Sequence, residues 1–140
     1  YEGFEVSSER ILQEVSRKKY DVILGHSQGA ILLAGLISSR QNDIFSKCDN
    51  FLLNGAAWPN PFTTELEDFR VDNDYPSVKA AFVIGSNDRI NPPEGALRVL
   101  DRFQKGGISV DIIEHDGGHA VPVDEESVVM EMIKWIKLNA

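Results

Sequence analysis

At 140 residues, 42% hydrophobic and 26% charged, the chain has the size and balance of one globular domain with one core. A net charge of -8 without clustered Lys or Arg argues against nucleic acid, whose phosphates need a basic patch, and no apolar run is long enough to cross a bilayer. The single cysteine, Cys48, excludes an intrachain disulfide and a zinc-thiolate cluster and fits a reducing, cytoplasmic location.

Ser7 or Ser8 is placed to cap a first helix running to about Lys19, with Ile11, Leu12 and Val15 as its apolar face. Tyr20 to Leu24 reads as a short strand ending at Gly25. Immediately after Ser27 the pattern becomes helical through Ala30, Leu33, Ala34 and Ile37, and Ala30, Ala34 and Gly35 are small enough for close backbone packing. Phe51 to Leu53 is a second strand. Ala57 to Ser77, rich in Pro, Asn, Asp, Glu and Thr, reads as a long excursion or lid with a short helix at Glu65 to Phe69. Ala80 to Ile84 is a third strand. A helix from Pro92 or Pro93 runs to Lys105 and is stopped by Gly106-Gly107. Ile108 to Glu114 forms a fourth strand, less cleanly apolar and so expected nearer an edge. A final helix starts near Asp124 or Glu125 and carries Val128, Val129, Met132, Ile133 and Ile136. Strands alternating with helices predict an α/β fold: a mostly parallel sheet covered by helices on both faces.

Gly25-His26-Ser27-Gln28-Gly29 matches the Gly-x-Ser-x-Gly turn that lifts a serine hydroxyl above a sheet between a strand and a helix. Flanking glycines are expected to avoid clashes where strand and helix meet. A serine hydroxyl is a weak nucleophile and needs a base and an orienting carboxylate. Asp88 follows the third strand and His119 the fourth, so both belong at carboxyl ends of strands with Ser27, the edge where open α/β sheets bind ligands. The order Ser, Asp, His is that of α/β hydrolases. Asp116 is the runner-up carboxylate. His26, adjacent to Ser27, is poorly placed as a base and is expected to line the pocket or pack under the turn. Cys48 has no local motif that would present it as a nucleophile. No His-Glu-x-x-His, P-loop or dinucleotide motif occurs, so no metal and no cofactor is expected. The expected oxyanion donor is the backbone N–H of Gln28. Trp58 and Phe62 are candidates for apolar lining of an acyl site, with ordinary core packing as the alternative.

Three blocks together resemble the FSH serine hydrolase family of the α/β-hydrolase superfamily. They are Tyr1-Glu2-Gly3-Phe4-Glu5 with the helix and strand leading to Gly25-His26-Ser27-Gln28-Gly29-Ala30; Gly85-Ser86-Asn87-Asp88-Arg89-Ile90-Asn91-Pro92; and His115-Asp116-Gly117-Gly118-His119-Ala120-Val121-Pro122. His26 stands where the family often has phenylalanine; the Gly-His-Ser pairing is common in lipases. The resemblance implies a serine carboxylesterase-like enzyme that cleaves small or medium acyl esters through an acyl-enzyme. An acyl-thioesterase, a peptidase or a non-catalytic hydrolase-fold binding protein are the alternatives. It also implies that residues 1–140 are the C-terminal part of a single α/β-hydrolase domain whose N-terminal strands, and with them a second oxyanion donor, lie outside this sequence. The implied partner is a small-molecule ester or thioester.

Overall fold

The computed structural model describes residues 3–60, 63–75 and 77–140. Its elements are α1 (Phe4–Ser16), β1 (Ile23–His26), α2 (Gln28–Ser39), α3 (Gln41–Phe45), β2 (Asn50–Asn54), α4 (Thr63–Glu67), β3 (Lys79–Gly85), α5 (Pro93–Gly106), β4 (Ser109–His115) and α6 (Glu126–Asn139). The four strands form one parallel sheet in the order β1-β2-β3-β4. Each parallel neighbour is reached through a helical crossover, the connection that parallel pairing requires.

Side chains alternate across the sheet, so each central strand feeds two cores. Phe51 and Leu53 of β2 and Ala80, Phe82 and Ile84 of β3 point to one side, against residues of α1, α2, α3 and α5. Leu52, Ala81 and Val83 point to the other, where Val128, Met132 and Trp135 of α6 cover them with Ile113 of β4. Burial on both faces is why β2 and β3 read as continuous apolar runs. Phe51, Phe82 and Phe103 are wholly buried; each contributes about 1.5–3 kcal/mol by leaving water. On β4 the burial lapses. Asp111, Ile112 and Glu114 are exposed, as suits the edge position that its mixed composition predicts. Asp111 accepts the Trp135 indole N–H at 2.9 Å and so ties α6 to this edge.

Several boundaries differ from the sequence reading. The first helix begins at Phe4 through Gly3, whose φ of 87° is in the left-handed region, rather than at a serine cap. Ser8 instead lies inside α1, buried, and its hydroxyl has no hydrogen-bond partner among the described residues. β1 begins at Ile23 and continues through His26, because its register is set by β2: Ile23 pairs with Phe51 and His26 with Asn54. The five-residue α3 carries little periodic signal and was not anticipated. The short helix of the excursion sits at Thr63–Glu67, with Phe69 following it. α5 ends at Gly106, one residue past Lys105, and a Cβ on Gly106 would lie 2.5 Å from the Phe69 ring. Gly107, at φ 104°, is the C-cap. Gly35 of α2 does provide close packing: the Phe4 ring would lie 3.1 Å from a Cβ at that position.

Candidate active site

β1 runs into α2 with a single residue between them, and Ser27 takes that turn at φ 54° and ψ -119°. It is the only non-glycine residue with positive φ among the described residues. Such a backbone is costly for a residue with a Cβ and persists only where its surroundings enforce it. Here the Ser27 N–H donates to the Asn54 carbonyl at 2.9 Å, and the Ser27 carbonyl accepts from Ile31 N–H at 3.1 Å. Gly25 makes the turn possible, since a Cβ there would lie 2.7 Å from the Gly29 carbonyl oxygen and 2.8 Å from Ala30 Cα. Gly29 does not have this role: a Cβ on it would meet nothing within 4 Å, which corrects the expectation for the second glycine of the motif.

The turn aims the Ser27 hydroxyl at His119, whose Nε2 is 2.6 Å from Ser27 Oγ. The other ring nitrogen, Nδ1, is 2.7 Å from Asp88 Oδ2. With Asp88 ionised, Nδ1–H donates to the carboxylate and Nε2 is left to accept the serine O–H. Asp88 follows β3 and is 5% exposed. Its second oxygen, Oδ1, accepts the backbone N–H groups of Ile90 and Asn91, both at 2.9 Å. Burial pushes the Asp88 carboxyl up, but the bonds from His119, Asn91 and Ile90 outweigh it, and the net direction is below the ordinary carboxylate value. Hydroxyl, imidazole and carboxylate linked in this way can carry a proton from the hydroxyl to Nε2 while the carboxylate holds the ring.

A family model described as serine hydrolase (FSH1) matches residues 1–130. The chain belongs to the FSH1 serine hydrolase family. Among curated proteins, nothing matches. Among solved structures, YahD with malic acid superposes with a TM-score of 0.73 at 17% identity, over 99% of this chain and 65% of that one. A Bacillus cereus carboxylesterase gives 0.74 at 16%, over 98% and 62%. Zea mays acyl-protein thioesterase 2 gives 0.72 at 17%, over 99% and 65%. These likenesses show the α/β-hydrolase fold, and the FSH1 chain spans slightly under two thirds of each of these proteins.

The other candidate residues lie as follows. Gln28 opens α2, and its N–H finds no acceptor among the described residues. First-turn donors of this kind sit at the positive end of a helix dipole. His26 ends β1 with its ring centroid 5.3 Å from that of His119. Asn54 Nδ2 donates to His26 Nδ1 at 2.8 Å, which leaves the His26 proton on Nε2 when the ring is neutral. Trp58 packs partly buried against the larger core, and the Arg98 guanidinium lies 3.6 Å from its ring centroid. Phe62 lies outside the described residues. Asp116 is exposed and does not meet His119; its carbonyl accepts from the Asn87 amide at 2.6 Å. Cys48 is buried, its thiol donating to the Asn50 carbonyl at 3.1 Å, and burial pushes that thiol up.

Sequence reasoning missed Asn54, Gly55 and Asn91. Asn54 is 1% exposed and meets the serine turn through both its carbonyl and its amide. Gly55, at φ 58°, passes close under the histidine: a Cβ there would lie 3.2 Å from His119 Cε1 and 3.6 Å from Asp88 Oδ2. Asn91 Nδ2 donates to the Gly55 carbonyl at 2.7 Å, so one residue ties the Asp88 loop to the end of β2. The signal available was the Asn54-Gly55 pair ending an apolar strand.

Proposed function

We propose that this serine hydrolase cleaves carboxylic esters of small or medium acyl groups through an acyl-enzyme. The observation that carries the reading is the unbroken pair of bonds from Ser27 Oγ to His119 Nε2, 2.6 Å, and from His119 Nδ1 to Asp88 Oδ2, 2.7 Å. Ser27 Oγ attacks the ester carbonyl carbon as its proton passes to His119 Nε2. The carbonyl oxygen becomes an oxyanion, held by the Gln28 N–H and the positive end of α2. The tetrahedral centre collapses, the carbon–oxygen bond to the alcohol breaks, and His119 returns its proton to the departing oxygen. Water then attacks the acyl-serine with His119 as base, releasing the carboxylic acid and restoring Ser27. Asp88 stays ionised and stabilises the imidazolium. His26 forms a wall of the acyl site beside His119.

A thioester is the second reading. The attack is the same, only the leaving atom differs, and one protein of the same fold carries a thioesterase name. We place the enzyme in the cytoplasm on the strength of its one buried, unpaired cysteine. Among the described residues no helix is long and apolar enough to cross a membrane.

The test is intact-mass measurement of the full-length protein after exposure to a fluorophosphonate. One adduct is expected, absent from Ser27→Ala and sharply reduced in His119→Ala. A folded full-length protein that gains no adduct overturns the enzyme reading and favours a hydrolase-fold binding protein. Matched ester and thioester series then separate the two substrates.

A further inference from the structure

Two hydrogen bonds compete for one atom behind the His119 loop. His115 ends β4 with its side chain 2% exposed. Its Nδ1 lies 3.2 Å from Glu125 Oε1 and 3.2 Å from the backbone nitrogen of Gly117. The Gly117 N–H needs a bare lone pair on Nδ1, whereas the Glu125 carboxylate needs a proton there. One nitrogen cannot serve both at once. The site has little slack, since a Cβ on Gly117 would lie 2.8 Å from His115 Nδ1 and 2.9 Å from Glu125 Oε1.

Gly117 lies in the turn that leads from His115 to His119. Its carbonyl accepts the Asn87 N–H at 3.1 Å, and the Ser86 N–H donates to the His115 carbonyl at 2.8 Å. The Asn87 amide reaches the Asp116 carbonyl. The turn is thus fastened on one side to the stretch leading into Asp88 and on the other to the His115 ring.

We propose that His115 is a pH-sensing positioning residue for the His119 loop, an inference that rests on the reading of His119 as the base. With Nδ1 bare, the ring accepts the Gly117 N–H and the loop holds His119 between Ser27 and Asp88. A proton taken from solvent at low pH necessarily occupies Nδ1. The N–H then turns to Glu125, and Gly117 loses its acceptor. No covalent bond other than that N–H is made. His115 is among the residues that line a cavity of about 400 Å³. The charged groups lining that cavity are Glu125 before α6 and Glu114 and Asp116, the chain neighbours of His115; the lining residues from β3 and α5 are neutral. An imidazolium there meets carboxylates and no cation among the lining residues.

The consequence is an acid limb of activity governed by two histidines. Log kcat/KM, or the log rate of fluorophosphonate labelling, falls with a slope tending to about 2 rather than the slope of about 1 that a single base gives. The experiment follows the Gly117 amide by nitrogen-15 NMR from about pH 8 to about pH 5, the range in which histidines titrate, alongside labelling rates. It compares the full-length protein with His115→Asn and Glu125→Gln. Asparagine Oδ1 can accept near the position of Nδ1 without titrating. The Gly117 resonance is expected to move farther in the unaltered protein than in His115→Asn, whose labelling slope falls to about 1. In Glu125→Gln, which removes the partner of the protonated ring, the Gly117 transition shifts to lower pH. A Gly117 resonance indifferent to pH in the unaltered protein, or one that moves equally in His115→Asn, overturns the proposal. A Gly117 movement reduced by His115→Asn in a protein that never labels overturns the catalytic reading instead and supports the His115–Gly117 link.

Discussion

Replacing Gly25 with alanine inserts a methyl where the Gly29 carbonyl oxygen is 2.7 Å away, Ala30 Cα 2.8 Å and Ala30 N 2.9 Å. All three are backbone atoms, so no side chain can swing aside. Relief requires α2 to move off β1, and α2 begins at the residue after Ser27. Forcing a methyl into packed surroundings costs about 1–3 kcal/mol. For 140 residues the unfolding entropy near the midpoint is roughly 0.3 kcal/mol/K, so a loss of about 2 kcal/mol lowers Tm by about 7 °C. The informative partner is Gly29→Ala, in the same motif, where the new Cβ meets nothing within 4 Å. It is expected to be neutral or stabilising by about 0.5 kcal/mol, because alanine is the better helix residue. Thermal unfolding of both variants, with fluorophosphonate labelling at neutral pH, makes the comparison. Gly25→Ala should lose both stability and labelling, and Gly29→Ala should keep its stability. Equal losses in the two variants would refute the contact argument and assign the motif's glycines a role that steric exclusion does not explain.

Asp88→Asn should lower kcat about 10⁴-fold, because an amide no longer fixes the His119 tautomer, and steady-state kinetics on any ester that the native enzyme cleaves would show it. The same substitution tests the lowered carboxyl value at Asp88. Its stabilising contribution is fully present above the ordinary carboxylate range and is lost as pH falls through the depressed native value, so native stability should drop in acid more steeply than that of Asp88→Asn, as read from urea unfolding at successive pH values. Gly85→Ala places a Cβ against the Gly118 carbonyl and 2.7 Å from that of Gly117, which pushes on the loop bearing His119. Labelling should fall about 10²-fold, the scale of a misplacement of about 1 Å, and unchanged labelling in a folded variant would contradict the placement.

The parts of this fold that the sequence announces are those whose physics is local. Val22-Ile23-Leu24, a sharp glycine turn and a helical repeat lie within about one strand and one helix of each other, so the serine turn declares itself. Asp88 and His119 were legible because parallel strands all end at one edge, so a loop after a strand is already placed. Asn54, Gly55 and Asn91 were not, because their roles depend on pairing across the sheet. Asn54 meets His26 only through the register of β1 with β2, and Asn91 reaches Gly55 from 36 positions away. The start of α1 misled for a related reason. Ser7 and Ser8 suit a cap, yet the chain enters the helix at Gly3 and buries Ser8, a choice made by packing rather than by capping.

The hydroxyl, imidazole and carboxylate of the candidate site come from widely separated positions: Ser27 and His119 lie 92 positions apart, and Asp88 and His119 lie 31 apart. Bringing such distant segments together carries a loop-closure entropy that no local contact offsets. Until β3 and β4 have docked in register, no subset of this chain holds a hydroxyl, an imidazole and a carboxylate in line. A nascent or partly unfolded molecule therefore carries an ordinary, unreactive serine. On the proposed function, labelling of Ser27 requires β1, β3 and β4 to be in place together, since each strand leads into one of the three side chains.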